Sequence, residues 1–246
     1  MNIAVSIAIP DDEEKQTELS FDELSDRAKE KARDNYRQNY PDDGWWDSSY
    51  EDFDKIADMM GICIATKQVP LMNGKNKSVP AIYFSGFWCQ GDGACFEGNW
   101  YPEKDPLASL TKVMGHAPND ADLHEIAFGL AHLSERCNQL IPEARVKVEH
   151  NSRYYHSNSV SYDIDLPMPI HIQEGNELQH MVFDGLRTKL DLDDEAFETE
   201  VSDLLRRFMD WMYGLLEEEH EHLTSDEVID QYLEEMKFDE DGEAIY

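Results

Sequence analysis

This sequence is short of cations. Only 21 Lys and Arg stand against 53 Asp and Glu over 246 residues, for a formal net charge of −32. Such a chain repels phosphate, which excludes non-specific binding to DNA, RNA or an anionic membrane surface. No run approaches the ~20 apolar residues of a membrane span, so no membrane partner is expected. Cysteine is also scarce. Cys63, Cys89, Cys95 and Cys137 are the whole set, and a chain this long does not need disulfide staples, so a reducing cytoplasmic setting is expected. His-Glu-x-x-His, a P-loop and the dinucleotide glycine pattern are all missing. Asp191, Asp193, Asp194 and Glu195 lack the glycine turn and closing Glu of an EF-hand. The nine histidines are scattered; His220 and His222, two apart, point to different helix faces. No catalytic residue, metal ligand or cofactor is therefore assigned, and the expectation is a non-enzymatic protein.

What is present is enough to fold. Apolar residues make up 41% of the chain and aromatics 11%, which separates it from a disordered acidic tail. Met1–Pro10 alternates apolar residues without a basic flank and reads as a first strand. The Ser20-Phe21-Asp22-Glu23 capping box predicts a helix running to Pro41, and a second helix is expected over 48–60. Strands are expected over 62–69, 81–88 and 94–101, the last two joined by Gln90-Gly91-Asp92-Gly93, and a hairpin over 145–166. Helical stripes follow at 121–140 and 194–219, then a short helix from Thr224 to Met236 and a final strand within 237–246. Helices at both ends of the chain around a central antiparallel sheet of hairpins make an α+β fold. The reading takes 1–246 as one domain with acidic helical segments at 11–60 and 190–246.

The charge is uneven. Residues 59–189 carry a net of only −4, while 11–58 carry −10 and 190–246 carry −18. On a helix, carboxylates three or four residues apart lie about 5–6 Å from one another, the same order as neighbouring phosphates on a strand. One candidate track is Asp42, Asp43, Asp47, Glu51, Asp52 and Asp54, continued by Asp58. The other is Glu217, Glu218, Glu221, Asp226, Glu227, Asp230, Glu234 and Glu235. The attractive partners of such tracks are basic protein surfaces, including those that normally hold nucleic acid. A homodimer would lengthen the acidic surface. Trp88 and Asp92 in the glycine-rich hairpin, with Tyr154 and Tyr155 at the tip of the next, are candidate partner contacts of a second, aromatic kind.

Four segments carry a resemblance. Phe21-Asp22-Glu23-Leu24-Ser25-Asp26-Arg27-Ala28-Lys29, Trp45-Trp46-Asp47-Ser48-Ser49-Tyr50-Glu51-Asp52, Phe84-Ser85-Gly86-Phe87-Trp88-Cys89-Gln90-Gly91-Asp92-Gly93 and Leu223-Thr224-Ser225-Asp226-Glu227 occur in this order. The chain resembles a family of largely uncharacterised bacteriophage proteins, sometimes labelled antitoxin-like, and departs from it by an insertion at Thr66–Pro80. The resemblance implies a phage protein acting in the host bacterial cytoplasm and carries no catalytic residues. With the charge, it leads to an expected function: an inhibitor that binds a host nucleic-acid-binding defence complex, of anti-CRISPR or anti-restriction type, by nucleic-acid mimicry. Two alternatives stand beside it. One is an antitoxin-like protein that covers a toxin directly; the other is an enzyme using the Gly86–Gly98 hairpin for a small ligand.

Overall fold

The computed structural model describes residues 18–39, 44–71, 74–169, 172 and 176–245. The strand expected over 1–10 and the acids Asp42 and Asp43 lie outside the described residues. In chain order the elements are β1 (Leu19–Ser20), a 3-10 turn (Phe21–Glu23), α1 (Asp26–Gln38), α2 (Asp47–Met59), β2 (Ile62–Ile64), β3 (Thr66–Pro70), β4 (Asn76–Pro80) and β5 (Ile82–Phe84). There follow β6 (Ala94–Phe96), β7 (Gly98–Trp100), α3 (Pro106–His116), α4 (Ala121–Leu140), β8 (Arg145–His150) and β9 (Val160–Asp165). The chain ends with α5 (Glu177–Lys189), α6 (Asp194–Leu223), α7 (Asp226–Leu233), β10 (Lys237–Phe238) and β11 (Ala244–Ile245). The fold is α+β.

The chain divides into two compact units, Gly44–Glu218 and a smaller one assembled from residues 1–43 and 219–246. Where the sequence reading takes a single domain, the two chain ends build a core of their own. In the smaller unit, Phe21, Leu24, Ala28 and Ala32 bury against Ile229, Leu233 and Phe238. Leu19 pairs with Phe238, and Phe238 with Ala244, in an antiparallel sheet ordered β1-β10-β11. The capping box forms, with the Ser20 N–H donating to the Glu23 carboxylate at 2.8 Å, but it closes only the 3-10 turn. Leu24 is extended, and Ser25 starts α1 anew by accepting from the Ala28 N–H.

The larger unit is centred on an antiparallel sheet of order β2-β7-β8-β9. Trp100 sits opposite Ile62 on one side and Val146 on the other. It is fully buried, and its indole N–H donates to the Met60 carbonyl at 3.2 Å. Phe53 and Ile56 of α2, Leu123, Ile126, Leu130 and Leu133 of α4, and Phe197, Val201, Leu205, Phe208 and Met212 of α6 complete this core. Their three- and four-residue spacing is what turns one stripe of each helix inward.

The strand expected over 94–101 is two strands. Glu97 donates to the Ala81 carbonyl at 3.0 Å and accepts from the Ala65 N–H at 2.8 Å, so the ladder changes partner there. β6 pairs with β5, and β7 with β2. Within 66–80, expected above as an insertion, β3 pairs with β4 in a hairpin with Thr66 opposite Pro80. Two helices that periodicity did not reveal, α3 and α5, begin at polar caps: Asp105 accepts from the Ala108 N–H and Asn176 from the Gln179 N–H.

Candidate functional site

The aromatic candidates come together. The β5–β6 hairpin is closed by Asp92, whose carboxylate accepts the Cys89 N–H at 2.7 Å and the Trp88 N–H at 3.0 Å. Those backbone donors, Cys89 first, hold the Asp92 carboxyl below its ordinary range. Gly91 adopts φ +117°, and a side chain there would meet the Tyr154 ring at 3.7 Å. A Cβ on Gly93 would lie 2.8 Å from the Cα of His156, so only glycine lets the two loops touch. Two segments some sixty residues apart thus form one tip. Trp88 is 85% exposed and Tyr154 57% exposed. Tyr155 turns inward and stacks on Tyr83 at 5.5 Å, leaning on His150 as well. Of the four aromatic-loop candidates, Trp88 and Tyr154 offer surface to a partner, while Asp92 and Tyr155 hold the tip in shape. Behind the tip, Tyr213 donates to the Gly86 carbonyl at 3.1 Å and packs on Phe87.

The acidic candidates divide three ways. On α2, Asp47, Glu51, Asp54 and Asp58 fall at i, i+4, i+7 and i+11, all exposed, and so form one stripe. Asp47 is paired with Lys77 at 2.7 Å, while Asp52, off the stripe, meets His116 at 2.9 Å. The Asp54 carboxyl is pushed upward, by partial burial first and by Asp58 second. Glu217 and Glu218 belong to the larger unit, whereas Glu221, Asp226, Glu227, Asp230, Glu234 and Glu235 belong to the smaller. Within that unit Asp230 takes Arg33 in a fork, Nε at 2.7 Å and a terminal nitrogen at 2.8 Å, and Asp226 pairs with Arg37. Asp226 and Asp230 therefore clasp α7 to α1. Among the described residues no ion pair engages Glu51, Asp54, Asp58, Glu218, Glu221, Glu227, Glu234 or Glu235.

The smaller unit's 71 residues hold 23 acids and 7 bases, a net of −16; the larger unit carries the same −16 over 175 residues. No group of three His, Cys, Asp or Glu that could hold a metal occurs among the described residues. No helix among them is long and apolar enough to cross a membrane. All four cysteines are free. Burial pushes the Cys95 and Cys137 thiols up to about 12, while Cys63 and Cys89 are exposed.

A feature that sequence reasoning missed lies in the larger unit: a cleft of about 900 Å³ between residues 117–122 and α6, lined in part by Asp120, Asp122, Asp210, Trp211 and Glu218. Nothing in local spacing signals it, because its two walls are some ninety residues apart. The Asp120 carboxylate caps α4 by accepting from the Leu123 N–H at 2.9 Å and also accepts the Trp211 indole N–H at 2.7 Å.

No curated protein and no solved structure matches this chain. A family model described as a domain of unknown function, DUF8835, matches residues 45–226. That span takes in nearly all of the larger unit with its aromatic tip, its α2 stripe and its cleft. The chain belongs to the DUF8835 family.

Proposed function

We propose that this protein is a phage-encoded, non-enzymatic inhibitor that occupies the basic surface of a host nucleic-acid-binding defence protein. It acts in the host cytoplasm by presenting carboxylates where the target expects phosphates. The observation that carries this reading is acidic charge left over after internal pairing. The stripe of Glu51, Asp54 and Asp58 keeps like charges close on a rigid helix, and burial together with Asp58 raises the Asp54 carboxyl. A cationic groove would pair the carboxylates that the chain itself leaves unpaired and relieve the repulsion along the stripe. Association would be steered by charge and weakened by salt. The test is protection of phage in cells carrying a restriction or CRISPR system. The triple variant Glu51→Gln, Asp54→Asn, Asp58→Asn is expected to lose protection; unchanged protection at equal protein level overturns the proposal.

A second reading rests on the exposed tip. Trp88 on a hairpin clamped by Asp92, with Tyr154 alongside, has the form of a preorganised anchor for a partner's pocket. An antitoxin-like protein that covers a toxin would use it. Binding would then depend on Trp88 and Tyr154 and be nearly indifferent to salt.

A further inference from the structure

The cleft beside α6 has the chemistry of a receptor for a cation. Asp210, Gly214 and Glu218 recur at i, i+4 and i+8, so two exposed acids flank a residue with no side chain, their Cα atoms about 12 Å apart along the helix axis. A Cβ built at Gly214 meets nothing within 4 Å, so the notch is open space. Trp211 and Leu215 wall it on α6, and Asp122 faces it from the start of α4. The Trp211 ring does not swing. Its N–H is held by Asp120 at 2.7 Å, Phe208 stacks on it at 5.5 Å, and Phe53 meets it edge-on at 5.5 Å. Arg207, the single base of the lining, already pairs with Glu125 at 2.8 Å. A fixed indole with carboxylates on either side suits a planar guanidinium, which stacks on aromatic faces and forks to carboxylates.

We infer that this cleft seats an arginine side chain of the basic partner. The inference deepens the inhibitor reading and rests on it: the cleft supplies a specific contact where the acidic stripes supply attraction. Arginine is favoured over lysine because a planar guanidinium lies flat on the ring and forks to carboxylates in a fixed geometry, whereas an ammonium meets both only as a point charge on a flexible stem.

The experiment is fluorescence anisotropy at low salt with labelled nona-arginine and nona-lysine peptides, on the full chain. Gly214→Met changes no charge, replaces a poor helix former and fills the notch without a clash. It is expected to weaken nona-arginine binding about tenfold, the loss of one good charged contact. Asp210→Asn with Glu218→Gln should do the same. Glu51→Gln with Asp54→Asn removes the same charge from α2 and should cost clearly less, about threefold, as attraction lost without a lost pocket. Nona-lysine should bind more weakly and lose less than nona-arginine on Gly214→Met. Wild-type affinity in Gly214→Met, with circular dichroism unchanged, overturns the cleft and leaves the inhibitor reading standing. Equal losses from the α2 and α6 pairs also overturn it, since the attraction is then diffuse. If the unmodified protein binds neither peptide, the reading of an acidic binder falls along with the cleft.

Discussion

The clasp between α1 and α7 makes a sharp prediction for Asp230→Asn. Arg33 is 18% exposed at its side chain and Asp230 33% exposed, and the guanidinium gives Asp230 two hydrogen bonds, at 2.7 and 2.8 Å. Hydrogen bonds to a charged partner contribute about 1.5–3 kcal/mol when sheltered. Partial exposure and the neighbours left to Arg33, Glu30 at 3.2 Å and Asp226 at 3.8 Å, reduce this to about 1–2 kcal/mol. Amide hydrogens of 26–38 and 226–233 should therefore exchange about 5- to 30-fold faster in Asp230→Asn. The pH dependence has a fixed sign. The hydrogen bond from Arg33, then its charge, hold the Asp230 carboxyl below its ordinary range. That contribution is complete above the unfolded value, near pH 4, and is lost as the pH falls through the lower folded one. Wild-type protection in α1 and α7 should fall below about pH 4, and the Asn variant should lack that part of the fall. Hydrogen–deuterium exchange read by mass spectrometry measures both. Protection in the variant within about 0.5 kcal/mol of wild type would refute the clasp.

Other perturbations act elsewhere. Trp100→Ala removes a fully buried ring and leaves the Met60 carbonyl without its donor; urea unfolding should show a loss of about 3–5 kcal/mol. Gly93→Ala drives a Cβ into His156, so proteolysis should cut the 151–159 loop faster. Trp88→Ala, at an exposed site, should leave the unfolding midpoint unchanged. A thiol reagent near pH 8 should modify two cysteines in the native protein, Cys63 and Cys89, and four after unfolding, because burial raises Cys95 and Cys137 to about 12.

The sequence made some parts of this molecule easy to read. α4 runs over 121–140 as its stripe predicts, since Leu123, Ile126, Leu130 and Leu133 all face one core. α7 starts where the Thr224–Glu227 signal points, but one residue later: Ser225 is the cap, accepting from the Val228 N–H, while the Thr224 hydroxyl donates back to the His220 carbonyl. α3 escaped notice because its 11 residues bury only Ser109 and Val113, too few for a stripe. α5 buries Phe183 alone, with Leu178, Met181 and Val182 exposed. The split at Glu97 depends on which strands lie beside it, a tertiary fact. The same holds for the site. Charge density singled out Glu51 and Asp54, which are exposed on α2, but it could not reveal that Asp226 and Asp230 face Arg33 and Arg37. Nor could it show that Gly91 and Tyr154 meet, or that Trp211 is pinned by Asp120 across ninety residues.

The central claim is that this protein takes the place of a nucleic acid on a basic partner. Its most direct test is affinity capture by the tagged protein from nuclease-treated bacterial lysate, eluted first with duplex DNA and then with rising salt. The account predicts retained proteins that themselves bind nucleic acid, that DNA displaces, and that the triple variant Glu51→Gln, Asp54→Asn, Asp58→Asn retains less well. A partner that resists both DNA and salt, and binds the triple variant equally, would contradict it and favour an anchor at Trp88.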